Sequence, residues 1–523
     1  MAKTPSDKLY RLVRSLSPTE KRYFRIYIGQ KSEGESQYQY QQLFEAIAAM
    51  EVFDEAALKC KIYKNQPPEG KKYSELKAYL YELILKSLQS FDEQQSVEYR
   101  LNHLLQSVAV LYKRGHYDDC HDLLHKAAKL ARQYESFTHL LEVIRWEKQL
   151  AYTRMDVDFL HKQLEQLQFE EDRVLEQLRN SADYRRAFFQ VYTTIKREAQ
   201  QRGFDRAARL QSLVNQEVFE DPDQAKSHKA RVTYYRTLNL YHYAALEYDQ
   251  FYETGKKLID LIESQPHFLR ENLSDYIAAL SNLILSCGML QRYDEVRVCL
   301  EKLRNLKPIT EDDRRKIHRQ YFTNKFALCS YTGEFEEARQ EMERCLQEAA
   351  GFDSHDYETA SFYFQFCTIC LGCGDYDRAL EYLNEWHNQP RSVEREDLQS
   401  LARILALILH FEMGNNVLLD SLLRSATRFL QKKNRLYGLE RRFIQFMAEL
   451  TRQPGLREQQ VVFQKMRSDL QELVSSPAAK TVLQTFDLEA WLDAKIKGQT
   501  FAATVAEKWS NGERDTKGNV IQQ

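Results

Sequence analysis

The run Gly374-Asp375-Tyr376-Asp377-Arg378-Ala379-Leu380-Glu381-Tyr382-Leu383-Asn384-Glu385-Trp386 decides how this chain reads. A glycine stands two residues before an aromatic, and small or apolar residues follow that aromatic by three, seven and ten positions, at Ala379, Leu383 and Trp386. Offsets of three and four keep side chains on one face of an α-helix, and a glycine ahead of the helix permits a tight turn. The phrase therefore predicts a helical hairpin with an aromatic wedged between its arms and small residues where they approach. It recurs as Gly333, Phe335, Ala338, Met342 and Cys345, and as Gly115, Tyr117, Cys120, Leu124 and Ala127. A further copy, Tyr293, Val296, Leu300 and Leu303, lacks the glycine and runs out at Pro308.

Weaker matches at Val157, Phe204, Tyr248 and Asn416 complete a series with steps of 40, 47, 44, 45, 42, 41 and 40 residues. These residues resemble the tetratricopeptide repeat, over about residues 95–455. The resemblance implies an all-α solenoid of stacked two-helix units. The spacing exceeds the ~34 residues usual for that family, so the helices are expected to be long, about 18 residues each; repeats of the HEAT type share the period and are the architectural alternative.

Composition agrees with an all-helical chain. Among 523 residues there are 17 Gly and 10 Pro, about 5% together against a usual ~12%, too few for the turns of a strand-rich fold. Apolar residues are 43% of the chain and aromatics 12%, ample for buried cores. The balance of 74 Lys+Arg against 76 Asp+Glu gives no overall pull toward nucleic acid or anionic membrane. No apolar run approaches the ~20 residues of a membrane helix, and nothing at the start reads as a signal peptide. With nine cysteines, the expectation is a cytoplasmic protein with free thiols.

Four segments are expected: a helical N-terminal domain or cap (1–94), the solenoid (95–455), C-terminal capping helices (456–508) and a disordered tail (509–523). Helices in the first segment are predicted at 6–16, 18–29, 38–50, 54–63 and 71–92. The stretch Leu16-Ser17-Pro18-Thr19-Glu20-Lys21-Arg22-Tyr23-Phe24, with Leu76 to Leu83, resembles the start of bacterial repeat proteins of unassigned activity. Helix starts are marked at Ser17-Pro18-Thr19-Glu20, at Asp221-Pro222, at Ser476-Pro477 and at Thr310, which three acids follow.

Motifs that could carry chemistry read more simply as packing. Cys367, Cys370 and Cys373 have iron–sulfur spacing but no nearby fourth cysteine. Moreover Cys287, Cys329 and Cys370 each lie six residues before the aromatic of their own unit, a core position. His116, Cys120, His121 and His125 place imidazoles one turn apart, yet no third metal ligand can be assigned. Phosphate loops, dinucleotide fingerprints and nucleophile elbows are absent from the sequence. No catalytic residue, metal or cofactor is therefore expected. Residues 1–31 carry a local charge excess of +6 with Tyr10, Tyr23, Phe24 and Tyr27 interleaved. That is chiefly a wet basic face over inward aromatics, and secondarily a nucleic-acid contact.

The functional expectation is a non-catalytic scaffold that binds a protein or peptide on the concave face of the repeats. Eleven residues before the aromatic stand Gln106, Thr237, Asn282, Asn324 and Gln365, a polar row that could bond a peptide backbone, with Tyr331 and Phe364 supplying apolar contact. The lysine and asparagine clamp of chaperone-binding tetratricopeptide domains has no match here. The alternative is a regulator in which a peptide bound by the repeats changes the N-terminal helical domain.

Overall fold

The computed structural model describes residues 7–31, 35–50, 52–63, 72–92, 96–153, 157–198, 206–214, 219–352, 359–388, 396–432, 438–453, 455–473 and 486–510. Among these residues every regular element is helical, and none is long and apolar enough to cross a membrane. The expected copy at Phe204, the helix start at Ser476-Pro477 and residues 511–523 of the expected tail lie outside the described residues. The chain divides into two units, 1–279 and 280–523, with the border inside α14 (Leu273–Met289).

The first unit opens with α1 (Lys8–Ser15), α2 (Pro18–Lys31), α3 (Glu35–Ala48), α4 (Glu55–Tyr63) and α5 (Lys72–Asp92). At the start of α2 the Glu20 amide donates to Ser17 Oγ (3.2 Å) while the Ser17 amide donates to Glu20 Oε2 (2.6 Å), a complete capping box. These five helices enclose a core of their own around Val13, Phe24, Leu43, Phe44, Leu80 and Ile84. There follow α6 (Val97–Tyr112), α7 (Tyr117–Gln133), α8 (Phe137–Thr153), α9 (Val157–Glu198), α10 (Arg206–Val214), α11 (His228–Ala245), α12 (Tyr248–Glu263) and α13 (Pro266–Glu271).

The second unit holds the end of α14, then α15 (Tyr293–Arg304), α16 (Glu311–Thr332), α17 (Phe335–Ala349), α18 (Tyr363–Gly372), α19 (Tyr376–Asn388), α20 (Glu396–Glu412), α21 (Asn416–Lys432), α22 (Gly438–Leu450), α23 (Leu456–Leu473), α24 (Leu488–Lys497) and α25 (Phe501–Ser510). Near its end, Trp491 is buried among Phe411, Phe443, Phe446 and Phe463, and its indole N–H donates to Glu412 (2.7 Å).

The repeated phrase has a backbone cause. The aromatic or its substitute begins a helix in α7, α9, α12, α15, α17, α19 and α21. Two residues earlier, wherever a tight turn precedes, the backbone is left-handed: Gly115 (φ 78°), Leu246 (64°), Gln291 (59°), Gly333 (82°), Gly374 (78°) and Gly414 (71°). The next amide then donates to the carbonyl five residues back, as in Glu334 to Cys329 (3.0 Å), Asp375 to Cys370 (2.9 Å) and Arg292 to Cys287 (2.8 Å). This closure satisfies a carbonyl that the helix end leaves open. Gln291 and Leu246 hold the same geometry with a side chain, at about 1–2 kcal/mol relative to glycine. Positions three beyond the aromatic are buried at Cys120, Phe251, Val296, Ala338, Ala379 and Leu419.

Three expectations need correction. The repeat period implies helices of about 18 residues joined by a turn after Val157, but α9 runs 42 residues without a turn. Apolar positions recur along it at Leu167, Val174, Tyr184, Ala187 and Val191, all buried, so it has a packed face over most of its length. Asp221-Pro222 starts only the 3₁₀ turn Pro222–Gln224, which Asp221 caps by accepting from the Asp223 amide (2.9 Å). Trp509 and Ser510, assigned to the tail, belong to helix α25.

Candidate functional site

In the second unit Asn282, Asn324 and Gln365 occupy matching positions on α14, α16 and α18, the first arms of successive hairpins, and each is half-buried. The Gln365 side-chain amide donates to the Thr323 carbonyl (3.0 Å), which fastens α18 to α16 directly beside Asn324. Asn324 donates back to Gln320 O in its own helix (2.7 Å). Their side-chain oxygens, Asn324 Oδ1 and Gln365 Oε1, accept no hydrogen bond among the described residues. The two amides thus spend a donor on the scaffold and keep an acceptor for an incoming N–H.

The rest of the expected row is placed differently. Thr237 is wholly buried, out of a ligand's reach, and its hydroxyl donates to Thr233 O (2.7 Å) within its own helix. Phe364 is also buried, with its ring edge-on to Trp386 at 5.4 Å, so it forms core and offers no peptide contact. Gln106 is exposed on α6 of the first unit. Tyr331 is half-buried at the turn end of α16, 6.3 Å from the Tyr293 ring.

That turn end carries an occupant that the sequence did not reveal. Helix α25 lies against it, with Trp509 edge-on to Tyr293 (4.7 Å) and Phe501 against Phe335 (5.5 Å). A Cβ on Gly333 would lie 2.7 Å from Ala506 N and 3.0 Å from Ala502 O, so the missing side chain is what lets the two backbones meet. The signal was present as the small-residue spacing of Ala502 and Ala506 on a helix that also carries Phe501, Val505 and Trp509.

Electrostatics argue against metal chemistry here. Cys329, Glu334 and Glu337 are the one group among the described residues that brings three potential ligand atoms within 4.8 Å of one another. Burial pushes the Cys329 thiol up to about 12, so it is protonated at neutral pH. Glu334, although burial opposes it, is held below the usual carboxylate range by hydrogen bonds from Thr332 (2.7 Å) and Arg297 (2.9 Å). Glu337 pairs with Lys325 (2.7 Å). Both carboxylates are paired with protein cations, so a metal here would have to displace Arg297 and Lys325 and take the proton from the thiol.

The other candidates resolve as packing or surface. Cys367 and Cys370 are buried with thiols raised by desolvation, and Cys373 donates to Phe335 O (3.4 Å). Cys120 is buried and directs its thiol at Val108 O (3.5 Å), while His121 and His125 are exposed. Within residues 1–31, Tyr10 and Phe24 are buried, Tyr23 packs on Phe91 (5.2 Å), Arg11 pairs with Asp7 (3.0 Å) and Arg25 with Glu45 (2.6 Å). Tyr10 and Phe24 are therefore not available to stack on bases, and the charges of Arg11 and Arg25 are partly offset. No protein-family model matches the chain, and a search of the curated proteins returns no relative.

Proposed function

We propose that the chain is a non-catalytic binding protein, a solenoid of tetratricopeptide-like hairpins whose second unit holds a peptide segment of a protein partner along α14, α16 and α18. The observation that carries this reading is the pair of side-chain acceptors on Asn324 and Gln365, anchored through their donors at adjacent rungs. An extended peptide presents alternating N–H and C=O groups, so fixed amides at intervals can bind it with little demand on its sequence. The nine cysteines, none in a disulfide, support a reducing, cytoplasmic setting.

The test is selection of binders from a displayed peptide library on the full chain, followed by affinity measurement on Asn324→Ala and Gln365→Ala. Each loss of a backbone hydrogen bond of about 1–1.5 kcal/mol should weaken binding by roughly tenfold or somewhat less. A melting shift of no more than about 4 °C, what loss of the Gln365–Thr323 bond alone would cause, would show that the loss is local. Undiminished binding by a folded double variant would refute the placement.

A further inference from the structure

The first unit contains a cleft of about 780 Å³ between α6 and α7, with Ser90 of α5 at its edge. Its wall is cationic: Arg100 and His103 stand one turn apart on α6, and Lys126 and Lys129 one turn apart on α7. Leu104 and Leu130 supply apolar surface, and none of the described residues that line it is acidic. Some exposed cations of this unit are neutralised across helix pairs, as in Arg132–Glu170 (2.8 Å), Lys148–Glu171 (2.6 Å) and Arg25–Glu45 (2.6 Å). Arg100, Lys126 and Lys129 have no such partner among the described residues. Three cations that line one concavity would all attract an anion placed there.

We propose that this cleft binds a small ligand carrying a diphosphate or triphosphate. A guanidinium grips a phosphate with two parallel N–H donors, and the lysines add point charges from the facing helix. The volume lies in the range of small-molecule sites, and the leucines with the His103 ring can take a flat organic group attached to the phosphates. A single-stranded nucleic acid fits less well, because among the described lining residues His103 alone is a ring, which gives successive bases no stacking platform. An acidic peptide fits less well too. It spreads its charges at about 3.3 Å per residue along a line, whereas these cations converge on one cleft. The reading is independent of the peptide site proposed above.

The test is fluorescence anisotropy of N-methylanthraniloyl-ADP with the full chain at low and moderate salt. Saturable binding, weakened by salt and displaced by unlabelled ADP and by pyrophosphate, is expected. Displacement by pyrophosphate as effective as by ADP would assign an inorganic source, and stronger displacement by ADP a nucleotide. Lys126→Glu/Lys129→Glu should lose about tenfold or more in affinity, and so should Arg100→Gln. Lys257→Glu, on the exposed side of α12, should bind as the parent does. Absence of saturable binding would overturn the proposal. So would equal binding by the charge-reversed cleft, or displacement by a short single-stranded RNA at lower concentration than by either phosphate compound.

Discussion

Replacing Gly333 by alanine should do something that the same change at Gly374 does not. Both glycines sit in the left-handed slot of a hairpin, with φ of 82° and 78°, so alanine at either costs about 1–2 kcal/mol of backbone strain. Around Gly374 there is no atom within 4 Å of the new methyl. At Gly333 the methyl meets backbone of α25, at 2.7 Å from Ala506 N, and a main chain inside a helix cannot step aside as a side chain can. Helix α25 must therefore move, and it is held there by Val505, wholly buried, and by Phe501 and Trp509. Forfeiting the burial of one such side chain is worth about 1.5–3 kcal/mol. Hydrogen exchange of the α25 amides measures local opening directly and does not require two-state unfolding of the whole chain. Exchange in α25 should accelerate about tenfold to a hundredfold in Gly333→Ala and stay at the parental rate in Gly374→Ala. Unchanged α25 exchange in Gly333→Ala would refute the reasoning that the missing side chain secures the contact.

Three further outcomes follow from buried polar groups. Asn239 is wholly buried and its amide donates to Phe251 O (2.8 Å), bridging α11 to α12, so Asn239→Ala should destabilise the first unit by about 1–3 kcal/mol, read as a lowered melting transition. His318 is buried, donates through Nε2 to Cys345 O (3.2 Å), and burial lowers its pKa from 6.5 against the opposing pull of Glu348; burial likewise lowers His410. An imidazole kept neutral by folding binds fewer protons than it does in the unfolded chain. Stability is therefore complete above about pH 6.5 and declines as pH falls below it, and His318→Gln should flatten that decline in a melting series. Alkylation at mildly alkaline pH should label exposed Cys60 first and spare Cys329 and Cys370, whose thiols burial pushes to about 12, until the protein is unfolded.

Helices and their starts were legible because their causes are local. Ser17 to Glu20 forms the capping box that its spacing predicts, and Thr310 forms another with Asp313. The aromatic positions mark helix starts even where Gln291 or Leu246 replaces glycine, since the turn is closed by backbone hydrogen bonds that any residue can supply. What could not be read was exposure. Counting eleven back from the aromatic finds the same register in every hairpin, but burial there depends on which neighbour lies over it. Thr237 is covered and Asn324 is only partly so, although both were assigned to one row. Helix α9 was misjudged for the same reason: a sequence period fixes where helices can start, and the absence of a breaker between Val157 and Glu198 lets one continue. The docking of α25 joins residues some 170 positions apart, a pairing that periodicity does not encode.

The unbroken course of α9 has a mechanical consequence. A 42-residue helix is a rod about 63 Å long, and its buried positions belong to three separate clusters, one around Leu167 and Val174, one around Tyr184 and Ala187, and one around Val191. A series of hairpins can flex at each left-handed turn, like the leaves of a folding screen. The rod has no such joint, so it acts as a splint across three panels. Among the described residues, bending in the first unit is left to the turns outside its span, at Gly115, Glu135 and Leu246, while the rod itself should move as one piece.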